Sequence, residues 1–171
     1  NPETGFTSYG RDDAGNMTSR SVGSSGSTIY TYDGQNRLAT ATYPGSTPSV
    51  VKTYTRTHKL KTVVSSAASR LFDYDANDNL KSETINVDNY NFGIGYTYNG
   101  NDQLSVLVYP RSSASVSFNP DVLGRPTQAS GYVSSISYWP SGQIAQMTYG
   151  NGTTTSYQQN ARLWPSTFRV Q

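Results

Sequence analysis

The sequence contains no cysteine, a single histidine and few charges, with 13 Lys and Arg against 11 Asp and Glu. Without cysteine, the protein cannot form a disulfide framework, a thiolate zinc site or a cysteine nucleophile. The basic residues form no run that could follow a phosphate backbone, which argues against nucleic acid as a partner. No apolar stretch approaches the roughly 20 residues of a membrane-spanning helix. These absences disfavour thiolate chemistry, nucleic-acid binding and membrane insertion.

Tyrosine and turn-forming residues are plentiful. Of 171 residues, 14 are Tyr, 15 are Gly and 8 are Pro, whereas only 34% are apolar. This mixture disfavours helices and is typical of short strands separated by turns. An aromatic content of 12% also argues against disorder, because disordered segments contain few aromatic residues. The length fits one domain or one stretch of a repeat array.

A short pattern recurs about eight times along the chain. In the stretch "IYTYDGQNRL", two tyrosines are followed by an aspartate, a turn-like segment and a leucine. We call that last residue the closing residue of a copy. The closing residues are separated by 18 to 24 residues, a period typical of repeat architectures. They are Met17, Leu38, Leu60, Leu80, Leu104, Pro126, Ile144 and Leu163.

Each copy has the features of a β-hairpin. In most copies an aromatic residue stands eight and six positions before the closing residue; Lys52 and Thr155 depart at the first of these positions, and Arg11 and Pro120 at the second. Residues two apart in a strand point to the same face. An Asp or Asn then begins a short turn, in which Gly, Asn or Asp accommodates positive φ. A second strand starts at the closing residue. The structural repeat positions predicted in this way are Tyr30, Tyr32, Asp33, Leu38, Phe72, Tyr74, Asp75, Leu80, Tyr96, Tyr98, Leu104, Asp121, Gly124 and Arg125.

The recurring pattern resembles the Tyr-x-Tyr-Asp-x-x-Gly-Arg-Leu signature of the Rhs or YD-repeat family. The stretches "YTYDGQNRL", "FDYDANDNL", "YTYNGNDQL" and "FNPDVLGRP" are similar to variants of that signature. The resemblance covers nearly the whole chain, and its specificity comes from recurrence. It implies an all-β fold, a spiralling antiparallel sheet of repeated hairpins that extends over residues 1–171.

The resemblance also implies a function. In bacterial polymorphic toxins and Tc toxin complexes, such a sheet forms a hollow shell around a C-terminal toxin, and in teneurins a similar shell supports cell adhesion. We therefore expect a structural segment of a longer, secreted or cell-surface bacterial polypeptide that encloses or presents an effector. The alternative is an adhesion module that binds carbohydrate or a cell-surface protein through exposed tyrosines. Packing within the sheet explains recurring tyrosine pairs more simply.

Catalysis is not expected. The family's self-cleavage machinery contains an Asp-Pro-x-x-Gly motif, whereas Asp121 is followed by Val122. His58 stands near Thr55 and Thr57, but no neighbouring carboxylate in the sequence would orient it as a catalytic base. A turn position explains this histidine equally well. The sequence therefore predicts no enzyme activity.

No cofactor or metal is expected either. Residues 73–79, "DYDANDN", resemble the start of an EF-hand calcium-binding loop, with oxygen ligands at alternate positions. The sixth and twelfth positions of that loop would be Asp78 and Thr84, where an EF-hand has Gly and Glu. Aspartates that form hairpin turns account for the same residues.

Two further expectations concern packing and assembly. The recurring aromatics and closing leucines should form ladders along the sheet, with the aromatic rings of neighbouring hairpins in contact. The first and last strands should have unpaired backbone groups and therefore associate edge to edge or pair with a partner strand. The ladder residues are Tyr30, Tyr32, Tyr74, Tyr96, Tyr98, Leu38, Leu80 and Leu104.

Overall fold

The structure, a computed structural model, describes residues 5–110 and 114–171. Residues 1–4 and 111–113 of the expected repeat array lie outside this part. The described residues form fifteen β-strands and no helix. The strands are β1 (Thr7–Arg11), β2 (Met17–Val22), β3 (Ser27–Tyr32), β4 (Leu38–Thr42), β5 (Val50–Tyr54), β6 (Leu60–Val64), β7 (Ala68–Tyr74), β8 (Leu80–Val87), β9 (Tyr90–Tyr98), β10 (Leu104–Val108), β11 (Ser115–Ser117), β12 (Val133–Tyr138), β13 (Ile144–Tyr149), β14 (Thr154–Gln159) and β15 (Pro165–Val170).

The strands follow one another in sequence order within their sheets. Strands β1 to β11 form one sheet, and β12 to β15 form a second. The defined strand registers are antiparallel, as in β3 with β4 and β5 with β6. The prediction of an all-β fold built from antiparallel hairpins is therefore confirmed.

The chain divides into two compact units. The first comprises Asn1–Asp73 and Glu83–Phe92, and the second comprises Tyr74–Ser82 and Gly93–Gln171. The first unit contains β1 to β6, and the second contains β10 to β15. Strands β7, β8 and β9 contribute residues to both.

One turn geometry recurs in all eight copies. In the second copy, the Asp33 N–H donates to the Arg37 carbonyl at 2.9 Å, and the Asn36 N–H donates to the Asp33 carbonyl at 3.0 Å. Asn36 has φ 58°, and Tyr32 then pairs directly with Leu38. The six-residue spacing between tyrosine and closing residue is therefore the length of this turn. The outer turn bond also joins Asp12 to Asn16, Thr55 to Lys59, Asp75 to Asn79, Asn99 to Gln103, Asp121 to Arg125, Trp139 to Gln143 and Asn160 to Trp164.

The last copy differs from the predicted alignment. Its turn begins at Asn160, so Leu163 lies inside the turn with φ 62°. Pro165 pairs with Gln159 and opens β15. The closing residue of the eighth copy is therefore Pro165 rather than Leu163. The sequence comparison favoured the apolar Leu163, whereas the register follows Asn160, whose Oδ1 accepts the N–H groups of Arg162 at 2.9 Å and Trp164 at 3.1 Å.

The sixth copy keeps its turn without a full hairpin. The Gly124 N–H donates to the Asp121 carbonyl at 2.9 Å, and Gly124 has φ 81°. Beside the turn, Pro120 and Pro126 form an isolated antiparallel bridge, and the N–H groups of Thr127 and Gln128 both donate to the Phe118 carbonyl, at 3.0 and 3.2 Å. Proline cannot donate to a strand ladder. The two prolines thus explain why this copy departs from the predicted hairpin.

Few side chains are fully enclosed, since the hairpins form single-layer sheets. Among the described residues, the buried hydrophobic side chains are Ala41 and Val116. The tyrosines are half-buried along one face, and the alternating residues of β3 are exposed. On that second face, threonine hydroxyls pair across strands, as Thr31 with Thr40 at 2.6 Å. Contacts between successive copies, rather than a deep core, must therefore hold the fold.

Leu163 provides a test of the turn geometry. A branched side chain at positive φ is disfavoured by its Cβ, and this side chain is exposed. We predict that Leu163→Gly raises the free energy of unfolding by about 0.5–1 kcal/mol. Urea denaturation measures the change. Leu123→Gly, one residue before the positive-φ position of its own turn, is the control and should not stabilise; equal stabilisation by both would contradict the proposed strain.

Candidate functional site

A hydrogen bond recurs at the junctions between successive copies. The second aromatic position of a copy, six residues before its closing residue, supplies a phenol hydroxyl. That hydroxyl donates to the carbonyl of the preceding copy's closing residue. The bonds run from Tyr32 to Met17 at 2.9 Å, from Tyr54 to Leu38 at 2.9 Å, from Tyr98 to Leu80 at 3.0 Å and from Tyr138 to Pro126 at 2.7 Å.

The turn of the second copy builds one side of such a junction. Asp33 Oδ1 accepts the N–H groups of Gln35 at 2.9 Å and Arg37 at 3.0 Å, and Oδ2 accepts from Arg37 Nε at 2.7 Å. The fixed guanidinium lies over the ring of Tyr54, with Cζ 4.6 Å from the centroid. Its Nη1 also donates to the Thr55 carbonyl at 3.3 Å. One carboxylate therefore orders its own turn and positions a cation on the next copy.

The hydrogen bonds and charge of Arg37 change the acidity of Asp33. Its side-chain hydrogen bond to the carboxylate is the main cause that lowers the pKa of Asp33 to about 2. The N–H groups of Gln35 and Arg37 and the guanidinium charge act in the same direction. The ionised carboxylate is thus the form that the turn stabilises.

The sixth copy repeats this arrangement independently. Asp121 accepts from the Leu123 and Arg125 N–H groups and from Arg125 Nε at 2.8 Å. The hydrogen bond from Arg125 lowers the pKa of Asp121. The guanidinium lies 4.4 Å from the centroid of the Tyr138 ring. The Tyr138 hydroxyl in turn donates to the Pro126 carbonyl. The sixth and seventh copies therefore repeat the series of contacts from aspartate to arginine, to tyrosine ring and to closing-residue carbonyl.

Amide side chains replace the arginine in other copies. Asn79 Nδ2 donates to Asp75 Oδ2 at 3.2 Å, and Asn99 Nδ2 donates to Gln103 Oε1 at 2.8 Å. The Asp75 Oδ1 atom accepts the N–H groups of Asn77 and Asn79, both at 2.9 Å. Asp75 therefore orders the backbone of its own turn. Among the described residues, no group of three or more His, Cys, Asp or Glu is arranged to hold a metal ion.

A second series of contacts joins neighbouring turns. The residue just before the closing residue of one copy reaches the positive-φ residue of the next. Asn16 Nδ2 donates to Asn36 Oδ1 at 3.2 Å, and Asn79 Nδ2 donates to Asp102 Oδ1 at 2.8 Å. His58 has φ 66° and occupies the same position. Its Nδ1 lies 3.3 Å from Arg37 Nη1, which has only protons to donate, so Nδ1 is the acceptor.

The predicted repeat positions thus lie where hairpins meet. Tyr30, Phe72 and Tyr96 are half-buried on the same strand faces as the second aromatic positions. The tyrosines at the second aromatic position contact the preceding copy through hydrogen bonds from their hydroxyl groups to backbone carbonyls. Ring-to-ring contact between neighbouring hairpins stays a prediction. One aromatic pair, Tyr157 and Phe168 with ring centroids 5.4 Å apart, lies within the last hairpin. Sequence reasoning missed the role of Arg37, although an Arg four residues after a turn Asp recurs at Arg125.

The pKa of Asp33 generates a prediction for acid unfolding. An unfolded aspartate titrates near 3.9, and the folded group titrates at about 2. The stabilisation is therefore complete above pH 4 and is lost as the pH falls from about 4 to about 2. We predict that the urea midpoint falls across this window and that Asp33→Asn reduces the fall. Asp13→Asn, at an exposed turn position, should leave the fall unchanged; the same effect from both variants would contradict the assignment.

Comparisons with known proteins agree with this arrangement. The family model described as RHS Repeat matches residues 11–48, which include the second copy and its turn. No curated protein sequence matches the chain.

Solved structures share the fold. The crystal structure of TcdB2-TccC3-TEV matches 98% of this chain with a TM-score of 0.75 and 12% identity. The crystal structure of TcdB2-TccC3-Cdc42 covers 100% of the chain with a TM-score of 0.57 and 11% identity. The Photorhabdus luminescens Tc holotoxin pore with the TccC3-D651A mutation also covers 100%, with a TM-score of 0.57 and 12% identity.

This chain corresponds to a small part of those proteins. It spans 10% of the first matching chain and 11% of each of the other two. At such low identity the likeness concerns the fold. The RHS Repeat model thus matches residues 11–48, and the fold shared with the Tc toxin chains extends over 98% of this chain.

Proposed function

We propose that this structural repeat segment forms part of the wall of a shell that encloses a toxin or another effector. The observation that carries the proposal is the repeated junction of a tyrosine hydroxyl with the preceding copy's carbonyl. Such a contact needs only the next copy, so it can be added for as many copies as a wall requires. The fold shared with chains of Tc toxin complexes supports the same role.

The thinness of the sheets also favours a wall. A globular domain is built around a packed hydrophobic core, whereas here two hydrophobic residues of the described part are buried. The second strand face carries cross-strand threonine pairs such as Thr53 with Thr62, at 2.7 Å, together with exposed aliphatic side chains such as Val51 and Val64.

The solved structures support a place within a longer polypeptide. This chain spans 10% of the first matching chain and 11% of the Tc holotoxin pore chain. We infer that the segment lies within a longer, secreted polypeptide and that the effector belongs to the same or an associated chain.

The segment itself performs no catalysis under this proposal. The single histidine, His58, lies in a turn against Arg37, and Asp121 is committed to its own turn and to Arg125. These contacts give both residues a structural role. The wall would act by enclosing the effector, and any chemistry would belong to that effector.

Carbohydrate binding at the surface is the second candidate. The observation that favours it is the exposure of two adjacent apolar residues, Leu163 at 54% and Trp164 at 64%, because contiguous exposed apolar side chains mark contact surfaces. The other tryptophan, Trp139, is held within its sheet, since its Nε1 donates to the Tyr157 carbonyl at 3.1 Å. The repeated junctions favour the wall over this alternative.

Protease protection of the full natural polypeptide tests the proposal. We predict that the region after the repeats resists protease while the wall is intact. The triple variant Tyr32→Ala, Tyr54→Ala and Tyr98→Ala removes three junction bonds and should speed its cleavage at least tenfold, since proteolysis follows the opened population. The exposed residues Tyr9 and Tyr90 supply the control variant, Tyr9→Ala with Tyr90→Ala. Rapid cleavage of that region in the wild-type protein would contradict enclosure.

A further inference from the structure

A cavity lies at the junction between the fifth and sixth copies. Its volume is about 310 Å³, and its lining residues are Gln103, Leu104, Phe118, Gly124 and Pro126. Leu104 is the closing residue of the fifth copy, and Phe118 is the first aromatic position of the sixth. The walls are mainly apolar, with the Gln103 amide at one side.

This junction has no tyrosine of its own. Pro120 occupies the second aromatic position, where Tyr54 and Tyr138 each supply a ring to the preceding copy. In the intact junction of Tyr54, the hydroxyl reaches the Leu38 carbonyl and Arg37 covers the ring. The corresponding residues here are Leu104 and Gln103, and both line the cavity. The cavity therefore takes the place of the missing tyrosine ring.

The same relation appears independently between the seventh and eighth copies. There Gln159 occupies the second aromatic position, and a cavity of about 420 Å³ is lined by Gln143, Ile144, Tyr157 and Pro165 among others. These four residues correspond, copy position by copy position, to Gln103, Leu104, Phe118 and Pro126 in the first cavity. Two junctions without the tyrosine thus have a cavity of matching composition.

In the second cavity, a side chain of the protein already satisfies polar groups of the lining. Gln159 Nε2 donates to Ser141 Oγ at 2.9 Å and to Gln143 Oε1 at 2.7 Å, so an amide lies at its polar side. Pro120 offers no donor in the first cavity. The first cavity is therefore the better receptor for a ligand from outside.

We propose that the cavity between Leu104 and Pro126 binds a tyrosine side chain supplied by another segment of polypeptide. The ring would contact Leu104, Phe118 and Pro126, with Gln103 at the side that Arg37 takes in the intact junction. The hydroxyl would donate to the Leu104 carbonyl, as Tyr54 does to Leu38. A volume of about 310 Å³ is at the lower end of ligand cavities, which suits a single ring. This inference does not depend on the enclosure of an effector.

The test uses p-cresol, N-acetyl-L-tyrosinamide and N-acetyl-L-phenylalaninamide as probes. Titration of the isotope-labelled protein is followed by NMR at the Leu104 methyl groups and the Phe118 ring. For so small a ligand we expect Kd values of about 1 mM for p-cresol and the tyrosine amide. The phenylalanine amide lacks the hydroxyl and should bind at least about fivefold more weakly.

Two variants test whether the ligand binds at the vacant tyrosine position. Pro120→Tyr supplies the missing ring from the chain itself and should abolish the shifts at Leu104. Gln159→Tyr is the matched control, because it fills the other cavity and should leave those shifts unchanged. If Pro120→Tyr does not fold, the location of the shifts in the wild-type protein still decides the site.

Several results would overturn the proposal. One is the absence of shifts at Leu104 and Phe118, and another is equal binding of the tyrosine and phenylalanine amides. Binding of p-cresol without binding of the tyrosine amide would exclude a polypeptide ligand. Unchanged p-cresol binding by folded Pro120→Tyr would show that the cavity is not the vacant tyrosine position.

Discussion

Where the repeat pattern is complete, neighbouring hairpins are joined by a hydrogen bond from a tyrosine hydroxyl to the carbonyl of the preceding copy's closing residue. A two-stranded hairpin is marginally stable in water, and these sheets bury few side chains completely. Each hairpin must therefore gain stability from its neighbour. The phenol suits this task because its ring removes apolar surface from water while its hydroxyl satisfies a backbone acceptor. Burial raises the pKa of Tyr98 and Tyr138, so the donating, protonated form is the favoured one.

The turn aspartate supports this contact by holding an arginine over the ring of the same tyrosine. At Asp33 and Asp121 one carboxylate oxygen orders the turn, and the other fixes an arginine over the next copy's tyrosine. An exposed ion pair alone contributes little, but a guanidinium already held by its own turn loses less side-chain entropy when it covers a ring. The local turn and the contact between copies therefore stabilise each other. Where Pro120 interrupts the pattern, the continuous sheet also ends, at β11.

Much of this organisation could be predicted from the sequence. The spacing of Tyr32, Asp33 and Leu38 indicates a hairpin because a strand alternates faces and an Asx turn has a set length. The contact of Arg37 with Tyr54 could not be predicted from one copy, since it joins residues of different hairpins. The eighth copy was misaligned because Leu163 resembles a closing residue, whereas hydrogen bonding to Asn160 sets the register. The cavity at Pro120 appears only when the packed junctions can be compared.

The most direct test of the junction is a double-mutant cycle between Arg37 and Tyr54. The variants Arg37→Met and Tyr54→Leu, alone and combined, are compared by their free energies of unfolding in urea. We expect a coupling free energy of about 0.5–1 kcal/mol, because each side chain loses its partner in either single variant. A parallel cycle of Arg37→Met with Tyr9→Leu, a residue of the first copy, should be additive. Additive effects of Arg37 and Tyr54 would contradict the claim that these contacts join successive copies.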